Sequence, residues 1–144
     1  MGYVYLASPY TADSMLVRET RFIHNIHASA YLINTLKQHV FSPVVHCHPI
    51  VFRYELPQEW EFWSQYDEIM ISNADELWVL CLPGYTNSMG VQTELKIAKK
   101  LSKRVRYLIP HEFGYDLTDD APKEENLYGL VLPGRLVTEK VSDV

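Results

Sequence analysis

The sequence predicts an α/β fold of the flavodoxin-like (Rossmann-like) type, a three-layer arrangement with helices on both faces of a parallel sheet. Short β-prone segments alternate with helical ones in the order β-α-β-α-β-α-β, which is typical of parallel strands joined by right-handed crossovers. The chain has 144 residues, of which 47% are hydrophobic and 22% charged. This size and composition are those of one folded domain with a substantial core.

The first predicted strand covers residues 3–7 and ends at Ser8 and Pro9, because serine and proline favour turns. A long amphipathic helix is predicted from about Ser14 to Lys37. Its apolar residues recur at steps of three and four, so they are expected to face the sheet. They are Ile23, Ile26, Ala30 and Ile33.

A second strand is predicted over residues 40–45, broken by Pro43. Residues 46–58 contain two further prolines and are expected to form a loop. A second helix begins near Pro57, because proline is tolerated in a first helical turn. Along one side of this helix lie Phe62, Tyr66, Ile69 and Asn73.

Residues 76–82 are almost wholly apolar, as expected of a central strand that is covered on both faces. Turn-forming residues at 83–87 lead into a third helix that runs to about Ser102. Residues 104–109 form a further strand, closed by Pro110. The periodic positions of the third helix are Val91, Glu94, Leu95, Ala98 and Leu101.

The chain divides into an α/β domain over residues 1–110 and a C-terminal extension over residues 111–144. Residues 111–126 are acidic and rich in turn-forming types, so the hydrophobic pattern weakens there. Residues 130–132 and 136–137 are apolar and β-branched enough to add an edge strand to the sheet.

Charge and composition argue against several classes of partner. The 13 basic and 18 acidic residues give a formal net charge of −5, which lacks the broad positive surface that nucleic-acid binding requires. No apolar run reaches the roughly 18 to 20 residues of a membrane span, and the first residues do not resemble a secretory signal. We expect a cytoplasmic protein without membrane or nucleic-acid partners, with Cys47 and Cys81 reduced and buried.

Ligands of open α/β sheets bind beyond the carboxyl ends of the strands, where loops and helix N-termini converge. In this sequence that edge is formed by residues 7–10, 43–48 and 82–90, together with the start of the third helix and Glu94. None of these segments fits a P-loop or a GxGxxG fingerprint, which argues against an ordinary ATPase or dinucleotide enzyme.

Motifs at this edge resemble the nucleoside 2-deoxyribosyltransferase superfamily, which includes the 2'-deoxynucleoside 5'-phosphate N-hydrolases. They are Tyr-Leu-Ala-Ser-Pro-Tyr at 5–10, Asp67 ahead of Asn-Ala-Asp at 73–75, and Ser-x-Gly-x-x-x-Glu-Leu at 88–95. With Phe-Ser-Pro at 41–43 and His-Cys-His-Pro at 46–49, the sequence looks closer still to an uncharacterised branch, the DUF1937 proteins. The resemblance covers roughly residues 3–109.

The resemblance implies cleavage of the N-glycosidic bond between a sugar and a base. Glu94 would be the nucleophile, Asp67 the acid and base, and Tyr5 the donor that orients Glu94. A carboxylate suits the first role because it stabilises an oxocarbenium-like transition state and then traps it as a glycosyl ester. From the residues alone, Glu94 is equally a solvated helix glutamate and Tyr5 a buried aromatic. The neighbouring Glu68 is an alternative to Asp67 as the acid.

Ser88 carries the information on substrate charge. In the superfamily it resembles, nucleotide hydrolases have serine six residues before the nucleophile, whereas transferases acting on free nucleosides have aspartate. A hydroxyl at a helix N-terminus can donate to a phosphate, although an ordinary N-cap would also select serine. The other expected substrate-binding residues at this edge are Gly90, Ser8, Pro9, His46 and His48.

Two further clusters near this edge have simpler interpretations. The His-Cys-His segment at 46–48 lacks the spaced second pair that structural zinc sites use, and no third group supports Cys47 as a nucleophile. Aromatic side chains most often serve core and subunit contacts. We expect that role for Trp60, Phe62 and Trp63, with one of them reaching the pocket.

The expected activity is hydrolysis of the base–sugar bond of a nucleoside 5'-monophosphate, through a covalent glycosyl-enzyme intermediate and without a metal or organic cofactor. The resemblance also implies a homodimer or higher homo-oligomer. Two alternatives stay open. One is a deoxyribosyltransferase that passes the sugar to a second base, and the other is a nucleotide-derivative binding module that keeps the fold without turnover.

Overall fold

The computed structural model describes residues 2–127 and shows the expected α/β fold. A five-stranded sheet has the strand order β2-β1-β3-β4-β5 and carries helices on its faces. The elements are β1 (Val4–Ala7), α1 (Met15–Asn34), β2 (Val40–Phe41), α2 (Pro43–Tyr54), α3 (Trp60–Ser72), β3 (Glu76–Leu80), α4 (Met89–Lys100), β4 (Arg104–His111) and β5 (Gly114–Thr118). Short 3-10 turns lie at Tyr85–Asn87 and Glu124–Leu127.

Alternation along β1 divides the core into two layers. Tyr5 and Ala7 pack with residues of α3 and α4 on one face of the sheet, whereas Val4 and Leu6 pack with residues of α1 on the other. β1 pairs in parallel with β2 and β3, and β3 pairs in parallel with β4. The carboxyl ends of β1 and β3 therefore open at the same edge of the sheet, where the loop before α4 also lies.

The fifth strand differs from the expectation for the C-terminal region. β5 runs antiparallel to β4 and forms the sheet edge, in a segment that the sequence analysis assigned to turns. Tyr115 and Leu117 alternate with polar neighbours and pack against the α1 side of the core, which is the period of a half-exposed edge strand. The strand segments expected at 130–132 and 136–137 lie outside the described residues.

The prediction of a loop over residues 46–58 is wrong for most of that segment, because residues 43–54 form α2. β2 is correspondingly only two residues long. Pro43 begins the helix rather than breaking a strand, and the Ser42 hydroxyl caps it by accepting from the Val45 N–H at 3.1 Å. Pro49 lies inside the helix.

The inner faces predicted for α1 and for α3, the second helix predicted from the sequence, are also wrong. In α1 the buried residues are His24, Asn25, Ala28 and Leu32, so the buried face is rotated from the expected one. In α3 the buried residues are Asp67 and Ile71, while Phe62, Tyr66 and Ile69 are exposed. Polar residues on the inner faces made the apolar periodicity misleading. In α4 the expected Val91, Glu94 and Ala98 are buried, and that face is confirmed.

No helix within residues 2–127 combines the length and apolar character that crossing a bilayer requires.

Candidate functional site

A cavity of about 470 Å³ opens at the carboxyl edge of the sheet, a volume within the usual range for small-molecule sites. Its walls come from the loops after β1 and β3 and from α2, α3 and the start of α4. The structure brings five of the expected site residues to this cavity: Ser8, Asp67, Ser88, Gly90 and Glu94.

Glu94 lies on the inner face of α4 and is only 4% exposed. The hydroxyl of Tyr5, a fully buried residue of β1, donates to Glu94 Oε2. This contact joins the strand and the helix beneath the cavity and fixes the orientation of the carboxyl group. The solvated-glutamate alternative for Glu94 is therefore wrong.

The proton affinity of Glu94 is set mainly by its burial. Burial raises the pKa of Glu94 to about 8, and the hydrogen bond from Tyr5 opposes that shift while the charge of Asp67 adds to it. Burial also raises the pKa of the Tyr5 hydroxyl well above its ordinary value, with the negative charge of Glu94 as the next cause. Tyr5 thus keeps its proton and acts as a donor.

Asp67 is the second carboxyl group in the cavity and is 7% exposed. Its Oδ1 has no hydrogen-bond partner among the described residues. Burial raises the pKa of Asp67 to about 7, so near neutral pH it can hold or release a proton. The neighbouring Glu68 is exposed and is not among the cavity residues, which leaves Asp67 as the carboxyl group at this position.

Ser88 is both the N-cap of α4 and a cavity residue. Its Oγ accepts from the Val91 N–H at 3.2 Å as the N-cap of α4, and the residue also lines the cavity. The cap uses an oxygen lone pair, so the hydroxyl hydrogen stays available to a ligand. A Cβ added at Gly90 would have only Ser88 Oγ as a neighbour, at 3.9 Å, so this glycine leaves open space at the helix start.

Ser8 is buried beneath the cavity and held by two hydrogen bonds. Asn25 Nδ2 donates to Ser8 Oγ at 2.8 Å, and Ser8 Oγ donates to the Pro9 carbonyl at 3.0 Å. Ser8 lines the cavity, whereas Pro9 is buried and does not. The expectation that Pro9 contacts the ligand is therefore not supported by its position.

His46 and His48 also lie outside the cavity lining. The expectation for both assumed a loop, but they belong to α2. His46 Nε2 bonds the Tyr66 hydroxyl at 2.8 Å. His48 Nδ1 bonds the Tyr10 hydroxyl at 2.6 Å, and its Nε2 bonds Glu19 at 2.8 Å. The structure therefore does not bring either imidazole to the cavity in which the substrate is expected to bind.

Two tryptophans line the cavity, where the sequence predicted only one aromatic residue of this segment. Trp60 and Trp63 both line it, whereas Phe62 is more than half exposed and does not. The signal was present in the spacing, because steps of three and four place Trp60, Trp63 and Asp67 on one helix face. The indole rings give the cavity a broad apolar wall.

Cys47 lines the cavity but is not an activated nucleophile. Burial raises the pKa of its thiol to about 12, with the charges of Asp67 and Glu94 as further causes. A cysteine attacks as the thiolate, which this environment disfavours. Cys47 is half-buried rather than buried as expected, whereas Cys81 is buried, and burial raises the pKa of Cys81 to about 12.

Acidic side chains are the only charged ones that residues 2–127 contribute to the cavity lining. Four of the residues that line it carry carboxyl groups, Glu59 and Glu61 at the exposed rim and Asp67 and Glu94 inside. No Lys, Arg or His from residues 2–127 is among the lining residues. The available stabilisation for an anion is the N-terminus of α4, where free N–H groups and the helix dipole favour negative charge.

Two charged side chains outside the cavity hold its loops. Arg21 donates to the carbonyls of Tyr10 and Thr11 at 3.3 and 3.1 Å, which fixes the loop after β1. Glu124 accepts from the N–H of Gly84 and from the hydroxyl and N–H of Thr86, the latter two at 2.5 and 3.3 Å. The loop that leads to Ser88 is thus held from the C-terminal part of the described chain.

Within residues 2–127, no group of three or more His, Cys, Asp and Glu side chains is placed to hold a metal ion.

Comparison with known families assigns most of the chain. Residues 2–109 match the model of a family described as Domain of unknown function (DUF1937). The chain belongs to the DUF1937 family. The match confirms the branch expected from the motifs, while the wider link to the nucleoside 2-deoxyribosyltransferase superfamily stays a prediction. None of the curated proteins compared with the chain matches it.

The DUF1937 match contains every residue that lines the cavity. It ends before β5 and before Glu124. The edge strand and the contact that holds the Gly84–Thr86 loop therefore come from chain beyond the matched region.

Proposed function

We propose that this DUF1937 protein is an N-glycosidase that hydrolyses the base–sugar bond of a nucleoside 5'-monophosphate. The observation that carries the proposal is the buried Glu94 carboxyl group, held by the Tyr5 hydroxyl in a cavity that also contains Asp67. An acidic pair of raised pKa in a concave site is what acid–base and nucleophilic catalysis requires, whereas a purely structural glutamate gains nothing from burial.

The reaction proceeds in two displacements. Ionised Glu94 attacks the anomeric carbon and forms a glycosyl ester, while the electrons of the carbon–nitrogen bond pass to the base and protonated Asp67 donates a proton to it. Water then attacks the same carbon as Asp67 accepts its proton. The ester bond breaks, and the Glu94 carboxylate is regenerated. The products are the free base and the sugar phosphate.

The lining of the cavity offers partners for both parts of such a substrate, the base and the phosphate. Trp60 and Trp63 offer flat apolar surfaces on which a base can stack. At the start of α4, Ser88 and the backbone N–H groups of Met89 and Gly90 provide neutral donors for a phosphate. The anomeric carbon would lie near Glu94.

A second candidate is a nucleoside 2-deoxyribosyltransferase. It shares the first displacement, after which a second base, rather than water, takes the sugar. The observation that favours it is the absence of Lys, Arg and His from the lining contributed by residues 2–127. Four carboxyl groups and no cation suit a free nucleoside better than a phosphorylated one.

Incubation with a panel of nucleoside monophosphates and free nucleosides, followed by chromatography of the products, tests the proposal. We expect release of free base from at least one monophosphate, and loss of that release in Glu94→Gln. Base exchange with an added acceptor, without net hydrolysis, would support the transferase. Binding of the panel without turnover in either protein would support the non-catalytic binding module.

Ser88→Asp tests the phosphate assignment separately. A carboxylate at the start of α4 would repel the 5'-phosphate, so we expect kcat/KM for the monophosphate to fall about tenfold or more relative to that for the free nucleoside. Aspartate is also a good N-cap, so the fold should be kept. An unchanged ratio would contradict the role of Ser88.

The homo-oligomer implied by the resemblance stays a prediction. The exposed apolar residues of α3, Phe62, Tyr66 and Ile69, form the surface on which it would depend. Sedimentation of the wild type and of a Phe62→Glu variant would show whether this surface joins two copies.

A further inference from the structure

A chain of three side chains runs from the surface of α1 to the wall of the cavity. Glu19 Oε2 lies 2.8 Å from His48 Nε2, and His48 Nδ1 lies 2.6 Å from the Tyr10 hydroxyl. Glu19 is about half exposed, His48 is buried, and Tyr10 lines the cavity. The three residues come from α1, α2 and the loop after β1.

His48 is held in one orientation by its surroundings. It is 4% exposed, and its ring stacks on Phe22 with the centroids 4.4 Å apart. The ring of Phe52 is stacked at 6.1 Å, and that of Tyr10 makes an edge contact at 5.4 Å. These aromatic rings restrict rotation of the imidazole, so each ring nitrogen keeps its own partner.

The partner of each nitrogen determines where the protons lie. An ionised carboxylate only accepts hydrogen bonds, so the contact with Glu19 requires a proton on His48 Nε2. In a neutral imidazole Nδ1 then carries none and accepts. The Tyr10 hydroxyl must donate to it, and burial raises the pKa of Tyr10, which keeps that proton in place.

The direction of the Tyr10 hydroxyl hydrogen limits which ligand groups can bond the Tyr10 oxygen. Once its hydrogen points at His48, the Tyr10 oxygen has only lone pairs for a ligand group that reaches it from the cavity. A ligand group that contacts this oxygen must therefore bring an O–H or N–H donor of its own. A carbonyl or ether oxygen at the same place would find no hydrogen to accept.

We propose that Glu19 and His48 fix Tyr10 as a hydrogen-bond acceptor in the cavity, which makes Tyr10 a specificity-determining residue for a hydroxyl or amino group of the ligand. The proposal rests on the proposed function for the kind of ligand, a nucleoside or nucleotide. Glu19 and His48 are positioning residues, because neither lines the cavity.

The chain contains a matched pair that serves as a control. The Tyr66 hydroxyl bonds His46 Nε2 at 2.8 Å, so Tyr66→Phe deletes the same kind of contact as Tyr10→Phe. Tyr66 does not line the cavity and is partly exposed. A general effect of losing a tyrosine–histidine hydrogen bond would appear in both variants, and an effect on ligand selection only in Tyr10→Phe.

The first test needs no ligand. Nitrogen-15 NMR of the whole protein at mildly alkaline pH, with His48 assigned through His48→Gln, reports which ring nitrogen carries the proton. We expect a proton on Nε2 and a bare Nδ1 in the wild type, and a redistribution between the tautomers in Glu19→Gln. A proton on Nδ1 with a bare Nε2 in the wild type would overturn the proposal.

The second test measures selection in the Glu94→Gln protein, in which turnover does not consume the ligand. The probes are 2'-deoxyadenosine and three analogues, each lacking one donor: the 6-amino group, the 3'-hydroxyl or the 5'-hydroxyl. Calorimetry should show one analogue binding about tenfold more weakly than the parent. That difference should disappear when Tyr10→Phe is added and persist when Tyr66→Phe is added. Differences that all survive Tyr10→Phe would overturn the proposal.

The two tests separate this proposal from the proposed function. If none of the four nucleosides binds, a free adenine nucleoside is not the ligand. The monophosphate assay then still tests the proposed function, and the tautomer of His48 still decides whether Tyr10 is held as an acceptor. If the nucleosides bind and Tyr10→Phe leaves every difference unchanged, the proposed function stands and the role of Tyr10 is refuted.

Discussion

Glu94 lies on α4 and Glu124 bonds the loop that precedes this helix, but the two carboxyl groups have opposite surroundings. Glu94 is buried and receives one side-chain hydrogen bond, from Tyr5, and its pKa is raised to about 8. Glu124 accepts hydrogen bonds from Gly84 and Thr86. Partial burial would raise the pKa of Glu124, but the bonds from the Thr86 hydroxyl and the two backbone N–H groups outweigh it and lower the pKa.

The number of hydrogen-bond donors around each carboxyl group, rather than its position near the loop, therefore determines whether its pKa is raised or lowered. A carboxylate surrounded by donors is stable as an anion and serves to hold backbone in place. A carboxylate withdrawn from water with few donors is destabilised as an anion, and a cationic transition state can relieve that penalty. Glu94 is therefore suited to chemistry and Glu124 to structure.

The two sites also respond oppositely to pH. The pKa of Glu94 is higher in the folded than in the unfolded chain, so its contribution to stability is largest at acidic pH and is lost as the pH rises to about 8. Glu124 has a lowered pKa in the folded chain. Its contribution is present above the ordinary carboxyl pKa and is lost as the pH falls through its folded value.

Glu94→Gln should give the largest effect. Removing the nucleophile should lower base release by about 10³-fold or more, while circular dichroism stays unchanged because glutamine has the same shape. Removing a buried ionisable group should also raise the free energy of unfolding at alkaline pH relative to the wild type. Glu125→Gln, at an exposed position, is the control. A Glu94→Gln protein with full activity would remove the distinction between the two sites.

Asp67→Asn should lower kcat by about 10²-fold, the usual contribution of a general acid. The proposed mechanism requires Glu94 ionised and Asp67 protonated, so the rate of the wild type should fall both at acidic and at alkaline pH, with an optimum near neutrality. The amide side chain of the variant cannot lose a proton, and the pH–rate profile should therefore lose its alkaline limb. Glu68→Gln should change neither the rate nor the profile. Retention of the alkaline limb would exclude Asp67 as the acid.

Tyr5→Phe should have a smaller effect, a loss of about tenfold in kcat/KM. Without the hydroxyl donor the pKa of Glu94 rises further above that of Asp67. The higher of the two pKa values sets the alkaline limb of the pH–rate profile, so this limb should move to higher pH. Tyr3→Phe is the control. The Tyr3 hydroxyl, two residues before Tyr5, bonds the Met70 carbonyl instead of Glu94, so its removal should leave the pH–rate profile unchanged. An unmoved limb in Tyr5→Phe would mean that this contact does not tune Glu94.

Glu124→Gln should have the smallest effect on catalysis, a few-fold change in KM. We expect the free energy of unfolding to fall by about 1 kcal/mol at neutral pH, since an amide cannot accept from all three donors as well as a carboxylate can. The difference from the wild type should shrink at acidic pH, as protonation removes the same contacts. Chemical denaturation at several pH values measures this, and a difference that grows toward acidic pH would contradict it.

The fold and the contact between Tyr5 and Glu94 could be predicted from the sequence for connected reasons. Alternating strands and helices specify a parallel sheet, and parallel strands bring their carboxyl ends to one edge. That placement, together with the family resemblance, suggested that Tyr5 and Glu94 meet, as the structure shows. The pattern of α4 was also reliable, because its buried face carries one polar residue among apolar ones.

The remaining parts were hidden for particular reasons. Two inner positions are polar and satisfied through tertiary contacts: Asn25 bonds Ser8, and His48 bonds Tyr10 and Glu19. A hydrophobic pattern assigns such residues to the surface, so the inner face of α1 was misplaced and α2 was mistaken for a loop. The role of Trp60 and Trp63 depends on a cavity whose shape is set by several elements at once.

The contacts that hold residues 84–86, in the loop before Ser88, determine where the chain can be shortened. Glu124 and the Pro122 carbonyl, which accepts from the Tyr85 hydroxyl, both lie past residue 109, where the family likeness ends. A fragment cut at that point would keep every cavity residue yet leave the Gly84 and Thr86 N–H groups without their acceptor. The N-terminus of α4 would then lose the contacts that hold the loop before it. Weak activity of such a truncated protein would therefore not report the activity of the intact one.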